Sequence, residues 1–201
     1  AVGVSGLAHA RAPGALAPEL RRRLLQVARS SIEAGLATGR PLEPARDAWP
    51  DAAWAPRATF VTLEETSGAL RGCRGVLEPV RPLPRDVAVN AFDTAFADPR
   101  FPPVHAGELA GLRISLSVLS PREGLVAPDA ERLARALRPG VDGLLLEAGA
   151  CRATFLPKVW EQLPEPADFL GQLWRKAGLP PGSWPAGIRF WRYGAEAFTE
   201  E

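Results

Sequence analysis

Apolar residues recur at helical spacing from Pro18 onward. Leu20, Leu24, Val27, Ala28 and Ile32 fall on one stripe, while Arg21, Arg22 and Arg23 fall mostly on the opposite side. This predicts an amphipathic first helix that Gly35 and Gly39 bring to an end. The arginine run reads as a solvated helix face, because no aromatic residues interleave it. The period then changes. Residues 58–63 (ATFVTL) are rich in β-branched side chains and predict a strand; Thr66, Ser67 and Gly68 supply a turn, and residues 70–77 (LRGCRGVL) return as the second strand of a hairpin. Residues 86–97 predict a helix with Val87, Ala91, Phe92 and Ala95 facing inward. The following DPRFPPV, residues 98–104, cannot continue it, since proline lacks an amide donor and restricts the residue before it. Residues 112–119 (LRISLSVL) alternate apolar and polar and predict a half-buried strand. A short helix over 129–137 follows, then a hairpin of 143–147 and 152–155 around Gly149. An amphipathic helix over 166–178 and a last strand over 188–193 complete the chain.

Hairpins imply antiparallel pairing. There is no regular strand–helix–strand alternation and no glycine-rich dinucleotide turn after a first strand. The predicted class is α+β: a mainly antiparallel sheet with flanking helices. Residues 1–17 read as a flexible N-terminal lead-in and 18–201 as one compact domain. The proline-rich stretch 41–57 is too apolar for a free linker, and Trp49 and Trp54 are its expected anchors on the core.

Composition narrows the functional classes. Lys plus Arg number 24 against 23 Asp plus Glu, a net charge of +1, so nothing asks for nucleic acid or an anionic membrane surface as a partner. No apolar run approaches the roughly 18 residues of a membrane-crossing helix, and the first twenty residues show no secretory signal. Cys73 and Cys151 are the two cysteines, expected as free thiols in a reducing cytoplasm. Together with His9 and His105 they match no metal-binding spacing, so no metal site is predicted, and no cofactor is indicated.

The chemistry concentrates in residues 70–75, LRGCRG. On a regular strand Arg71 and Cys73 share one face and Leu70 and Arg74 the other, unless a bulge intervenes. A guanidinium beside a sulfur favours the thiolate, which is the nucleophilic form. Gly72 and Gly75 leave the backbone bare, so their amides are candidate donors to an oxyanion or phosphate. Asp98 and Arg100 are candidates to line a pocket with Cys73, and His105 is the sole obvious candidate base. The competing reading is structural: Cys73 as a small buried hydrophobe, the glycines serving a tight bend, Asp98 pairing locally with Arg100, and Phe101 plugging the core.

Eight segments follow one another in order: ATFVTL, LRGCRG, DPRFPPV, Glu108-Leu109, ISLSVLSP, GVDGLLLE, ATFLPKVW and LWRKAGLP. This series resembles the AMMECR-one domain family, whose prokaryotic branch is called AmmeMemoRadiSam system protein A. The resemblance runs from about Pro18 to the end. The family's hallmark is similar to LRGCIG, so Arg74 stands in place of the usual isoleucine and must either reach solvent or pair with an acid. His105 falls outside the motif positions. The resemblance implies an α+β fold with a larger and a smaller lobe and a cleft near the hallmark. It also implies the company of a Memo-type protein, itself similar to extradiol dioxygenases, and of a radical-SAM protein. It supplies no reaction. Two functions are therefore expected. In the first, the chain is a cysteine-dependent enzyme or small-molecule-handling protein, with Cys73 catalytic and Arg71, Gly72, Gly75, Asp98 and Arg100 binding. In the second, it is a non-catalytic binding or scaffold module for those two partners.

Overall fold

The computed structural model describes residues 16–200. All but the last two residues of the predicted lead-in, and His9 with them, lie outside the described residues.

Helix α1, Pro18–Thr38, begins with proline at its first position and closes on Gly39, whose φ of 71° lets its N–H reach back to the Gly35 carbonyl. The helix therefore runs through Gly35 rather than ending there. Gly35 serves a different purpose: a Cβ at this position would lie 2.3 Å from the Phe96 ring, so its absence lets α2, Leu83–Phe96, approach closely. Trp49 is buried and Trp54 half-buried against the same core, the anchoring expected of residues 41–57.

Strands β1 (Thr59–Glu65), β2 (Leu70–Gly75), β3 (Leu112–Leu119) and β8 (Ala195–Thr199) form a sheet in the order β2-β1-β3-β8. Every pairing is antiparallel. Val61 and Leu63 of β1, with Leu112, Ile114, Leu116 and Val118 of β3, pack against Leu24, Ile32, Val87, Ala91 and Ala95 of the two helices. The alternation seen in the sequence is this face. The opposite face of the sheet carries Thr62, Ser115 and Ser117, all half-buried.

A second antiparallel sheet has the order β4-β7-β5-β6, with β4 at Glu123–Leu125, β5 at Gly143–Ala148, β6 at Cys151–Phe155 and β7 at Arg189–Tyr193. Helices α4 (Ala130–Ala136) and α5 (Pro166–Lys176) bury Leu133, Phe169, Leu173 and Trp174 against it. Trp160 stacks on Phe169 with ring centroids 3.9 Å apart.

The strand at 188–193 is thus not the last. Chain direction at Gly194 carries it from β7 straight into β8, and Ser120 carries β3 toward β4. The two crossings are tied together: the Ser120 N–H donates to the Gly194 carbonyl at 2.9 Å, and the Gly194 N–H donates to Ser120 Oγ at 2.8 Å. A two-stranded ribbon, β3 then β4 beside β7 then β8, therefore runs through both sheets. Ala58, Leu119, Leu145 and Tyr193 fill the junction, with Phe60, Val76, Leu77 and Trp191 around them. β4 and the four-residue α3 (Ala106–Leu109) are too short to show a period, and β8 (AEAFT) is carried by alanine and glutamate, which have little strand preference, so the sequence did not predict them. No helix among the described residues is long and apolar enough to cross a membrane.

Candidate functional site

β2 is an edge strand, and its pairing with β1 is interrupted. Leu63 lies opposite Gly72 while Glu64 lies opposite Leu70, so Arg71 is an extra residue without a partner. Such a bulge re-aims a side chain. Arg71 is buried, and its guanidinium goes to Glu108 of α3: Nε donates to Oε2 and Nη2 to Oε1, both at 2.9 Å, and Nη2 also donates to the Pro102 carbonyl. Nη1 is shielded from solvent and has no hydrogen-bond partner among the described residues. The Arg71 guanidinium holds the Glu108 carboxyl below its usual range, against the opposing effect of burial. The regular-strand expectation that Arg71 flanks the sulfur gives way to this arrangement.

The cation that does stand at Cys73 is Arg100. Its Nη2 donates to the Cys73 carbonyl at 3.1 Å, while the Cys73 N–H donates to Asp98 Oδ2 at 2.9 Å. Arg100 also grips Asp98, with Nε to Oδ1 at 3.0 Å and Nη2 to Oδ2 at 2.7 Å. The Asp98 side chain is only 2% exposed, whereas that of Arg100 is 53% exposed. Hydrogen bonding from Arg100 drives the Asp98 carboxyl far below the usual carboxylate range; burial opposes this, and the N–H groups of Cys73 and Arg100 reinforce it. Both guanidiniums lie against the Phe101 ring, Arg71 at 5.9 Å and Arg100 at 5.5 Å from its centroid. DPRF thus holds the outer edge of β2, and both the local Asp98–Arg100 pair and its contact with Cys73 exist.

The sulfur itself is half-buried and free. Thr62 Oγ1 donates to Cys73 Sγ at 3.3 Å. Strand register extends this contact across the sheet: Cys73 lies opposite Thr62, Thr62 opposite Ser115, and Ser115 opposite Thr199. Ser115 and Thr199 share a hydrogen bond of 2.9 Å. One thiol and three hydroxyls therefore form a single row over all four strands, on the face that α1 and α2 leave uncovered. Phe60 and Ser117 lie in the neighbouring row.

Other predicted residues are placed differently. A Cβ on Gly72 would lie 2.8 Å from the Thr94 carbonyl of α2, and one on Gly75 would lie 2.4 Å from the Thr59 carbonyl and 2.5 Å from the Phe60 ring. Both glycines answer to close packing. Of the outward amides at this edge, that of Cys73 is already taken by Asp98. His105 caps α3, with its N–H donating to Glu108 Oε1 at 2.9 Å and its side chain 76% exposed. Arg74 is exposed and makes no ion pair among the described residues, so it resolves the departure from isoleucine by reaching solvent. Cys151 is half-buried at the start of β6. Among the described residues no cluster of three or more His, Cys, Asp or Glu side chains could hold a metal ion. Thr62, Ser115 and Glu108 were missed as site residues. The outward position of Thr62 in ATFVTL was the one available hint, because alternation opposes it to Val61 and Leu63.

The profile of the AMMECR1 family matches residues 25–198. The chain belongs to the AMMECR1 family. Among relatives, a protein of Thermococcus gammatolerans is 38% identical over 188 residues, covering 89% of each chain. One of Methanothermobacter thermautotrophicus is 39% identical over 182 residues, covering 90% of this chain and 94% of its own. The crystal structure of the uncharacterized protein PH0010 from Pyrococcus horikoshii superposes with a TM-score of 0.83 at 36% identity. The match covers 92% of this chain and 94% of that one. The AMMECR1 chain described here shares that α+β architecture along nearly its whole length.

Proposed function

We propose that this AMMECR1 protein handles a small molecule on the uncovered face of the first sheet, with the Cys73 thiol as its reactive contact. One observation carries this reading. A free, half-buried thiol ends a row of hydroxyls, receives the Thr62 hydroxyl at 3.3 Å, and sits on a main chain pinned at both polar groups by Asp98 and Arg100. Fixed geometry of this kind suits binding and covalent chemistry alike. Arg100, half exposed beside the thiol's own peptide, takes the anion-binding role first expected of Arg71. Two free cysteines suit the reducing cytoplasm.

The test is native-state alkylation with iodoacetamide, read site by site by mass spectrometry. Cys73, half-buried on the uncovered face, is expected to be alkylated in the folded protein, and Thr62→Val, which removes the hydroxyl that donates to its sulfur, should alter the Cys73 rate and leave the Cys151 rate unchanged. A Cys73 that resists alkylation until the protein unfolds defeats the reading.

A second reading has its own support. Asp98 and Arg100 direct their polar groups at the Cys73 main chain, Arg71 is committed to Glu108, and His105 caps a helix. No base is left at the sulfur from among the predicted candidates. That favours a binding or scaffold module, whose partners by resemblance are a Memo-type and a radical-SAM protein of the AmmeMemoRadiSam system. Affinity capture with those two proteins checks it: retention that survives Cys73→Ser but is lost on surface substitutions elsewhere supports it, and no retention defeats it.

A further inference from the structure

A second cluster lies where the two sheets meet, apart from the thiol. Glu78 follows β2 and extends its carboxylate to two arginines of the other sheet's region. Arg122 grips it with both nitrogens, Nη1 to Oε1 at 2.9 Å and Nη2 to Oε2 at 2.5 Å, and Arg152 Nη2 reaches Oε1 at 2.5 Å. Arg152 belongs to a cross-strand row in which it lies opposite Glu147 and Glu147 lies opposite Arg189. Arg152 Nε meets Glu147 Oε1 at 3.1 Å, and Arg189 Nη2 meets Oε2 at 3.2 Å.

We propose that Arg122 and Arg152 form a binding site for a doubly charged oxyanion of the phosphate class, and that Glu78 is its built-in competitor. Three features support this. Paired guanidinium forks recognise carboxylate and phosphate through the same planar donor geometry, so a carboxylate held by two of them marks where an oxyanion fits. Glu78 is 45% exposed, so rotation about its side-chain bonds frees the site without moving β2. With Glu78 withdrawn, Arg122 loses its carboxylate and Arg152 keeps only Glu147, which it shares with Arg189, so the linked set of three guanidiniums and one carboxylate carries an excess of two positive charges that matches a dianion. The residues around Glu78 are held independently: Val76 and Leu77 pack into the junction between the sheets, and the Arg57 N–H holds the Arg81 carbonyl. Only the Glu78 side chain has to yield. The site does not depend on the reactivity of Cys73.

The experiment is titration of the full chain with inorganic phosphate in low-chloride buffer, followed by calorimetry. Glu78→Gln is expected to bind phosphate about two- to fivefold more tightly than the natural protein, the scale of removing one competing exposed ion pair. Arg152→Gln added to Glu78→Gln should abolish that binding. Equal affinity of Glu78→Gln and the natural protein overturns the proposal. So does persistence of binding without Arg152, or chloride competing as well as phosphate. Should Glu78→Gln fail to fold, a crystal of the natural protein grown in saturating phosphate decides. Phosphate between the two guanidiniums with Glu78 rotated out supports the proposal, and Glu78 still in place overturns it.

Discussion

The Asp98 carboxylate accepts the main-chain N–H of Cys73 at 2.9 Å, and Arg100, two residues beyond Asp98, returns a donor to the Cys73 carbonyl at 3.1 Å. One ion pair thereby does what a neighbouring strand does, satisfying an outward N–H and C=O on an edge strand. The thiol's position is thus set by a segment 25 residues away in sequence.

Removing this cap should loosen β2. Asp98→Ala leaves the Cys73 N–H without its acceptor and Arg100 without its anion, a loss of about 1–3 kcal/mol. Urea unfolding measures it, and Arg100→Gln, at an exposed side chain, should lose less. Equal stability of Asp98→Ala and the natural protein refutes the capping role.

Acid should erode the same contact. The folded Asp98 and Glu108 carboxyls both sit below their ordinary values. Their stabilisation is therefore complete above the usual carboxylate range and is lost as pH falls through the depressed folded values. Burial pushes the Asp86 carboxyl the other way, so Asp86 favours the folded state on acidification. Melting temperatures between pH 2 and 6 should fall more shallowly in Asp98→Asn than in the natural protein.

Arg71 and Glu108 should behave as a buried pair. Glu108→Gln leaves a guanidinium that is 9% exposed without its counter-ion, a cost of about 3 kcal/mol. Arg71→Lys should be nearly as damaging, because an ammonium cannot make the two-pronged contact and also reach the Pro102 carbonyl. A double-mutant cycle measured by chemical unfolding checks the coupling.

Two glycines should respond oppositely to the same substitution. Gly72→Ala drives a methyl to 2.8 Å from the Thr94 carbonyl and should destabilise by about 1–3 kcal/mol. Gly171, within α5, has open space where its Cβ would be, so Gly171→Ala should stabilise by about 0.5–1 kcal/mol through helix propensity. Paired thermal melts separate the two.

Local spacing alone determined the long helices, the hairpin of β1 and β2 and the inward face of β3, each written within a few turns of chain. The order of eight motifs along the chain carried the resemblance to the AMMECR1 family. What only the tertiary structure decided is non-local. The bulge that turns Arg71 from Cys73 to Glu108 depends on where β1 and β2 pair, and period-two alternation is blind to one extra residue. The row from Cys73 to Thr199 brings together strands more than a hundred residues apart, aligned by backbone hydrogen bonds that carry no signature in side-chain type. Arg100 became the thiol's neighbour because an edge strand needs its polar groups satisfied, a demand that arises only once the sheet exists.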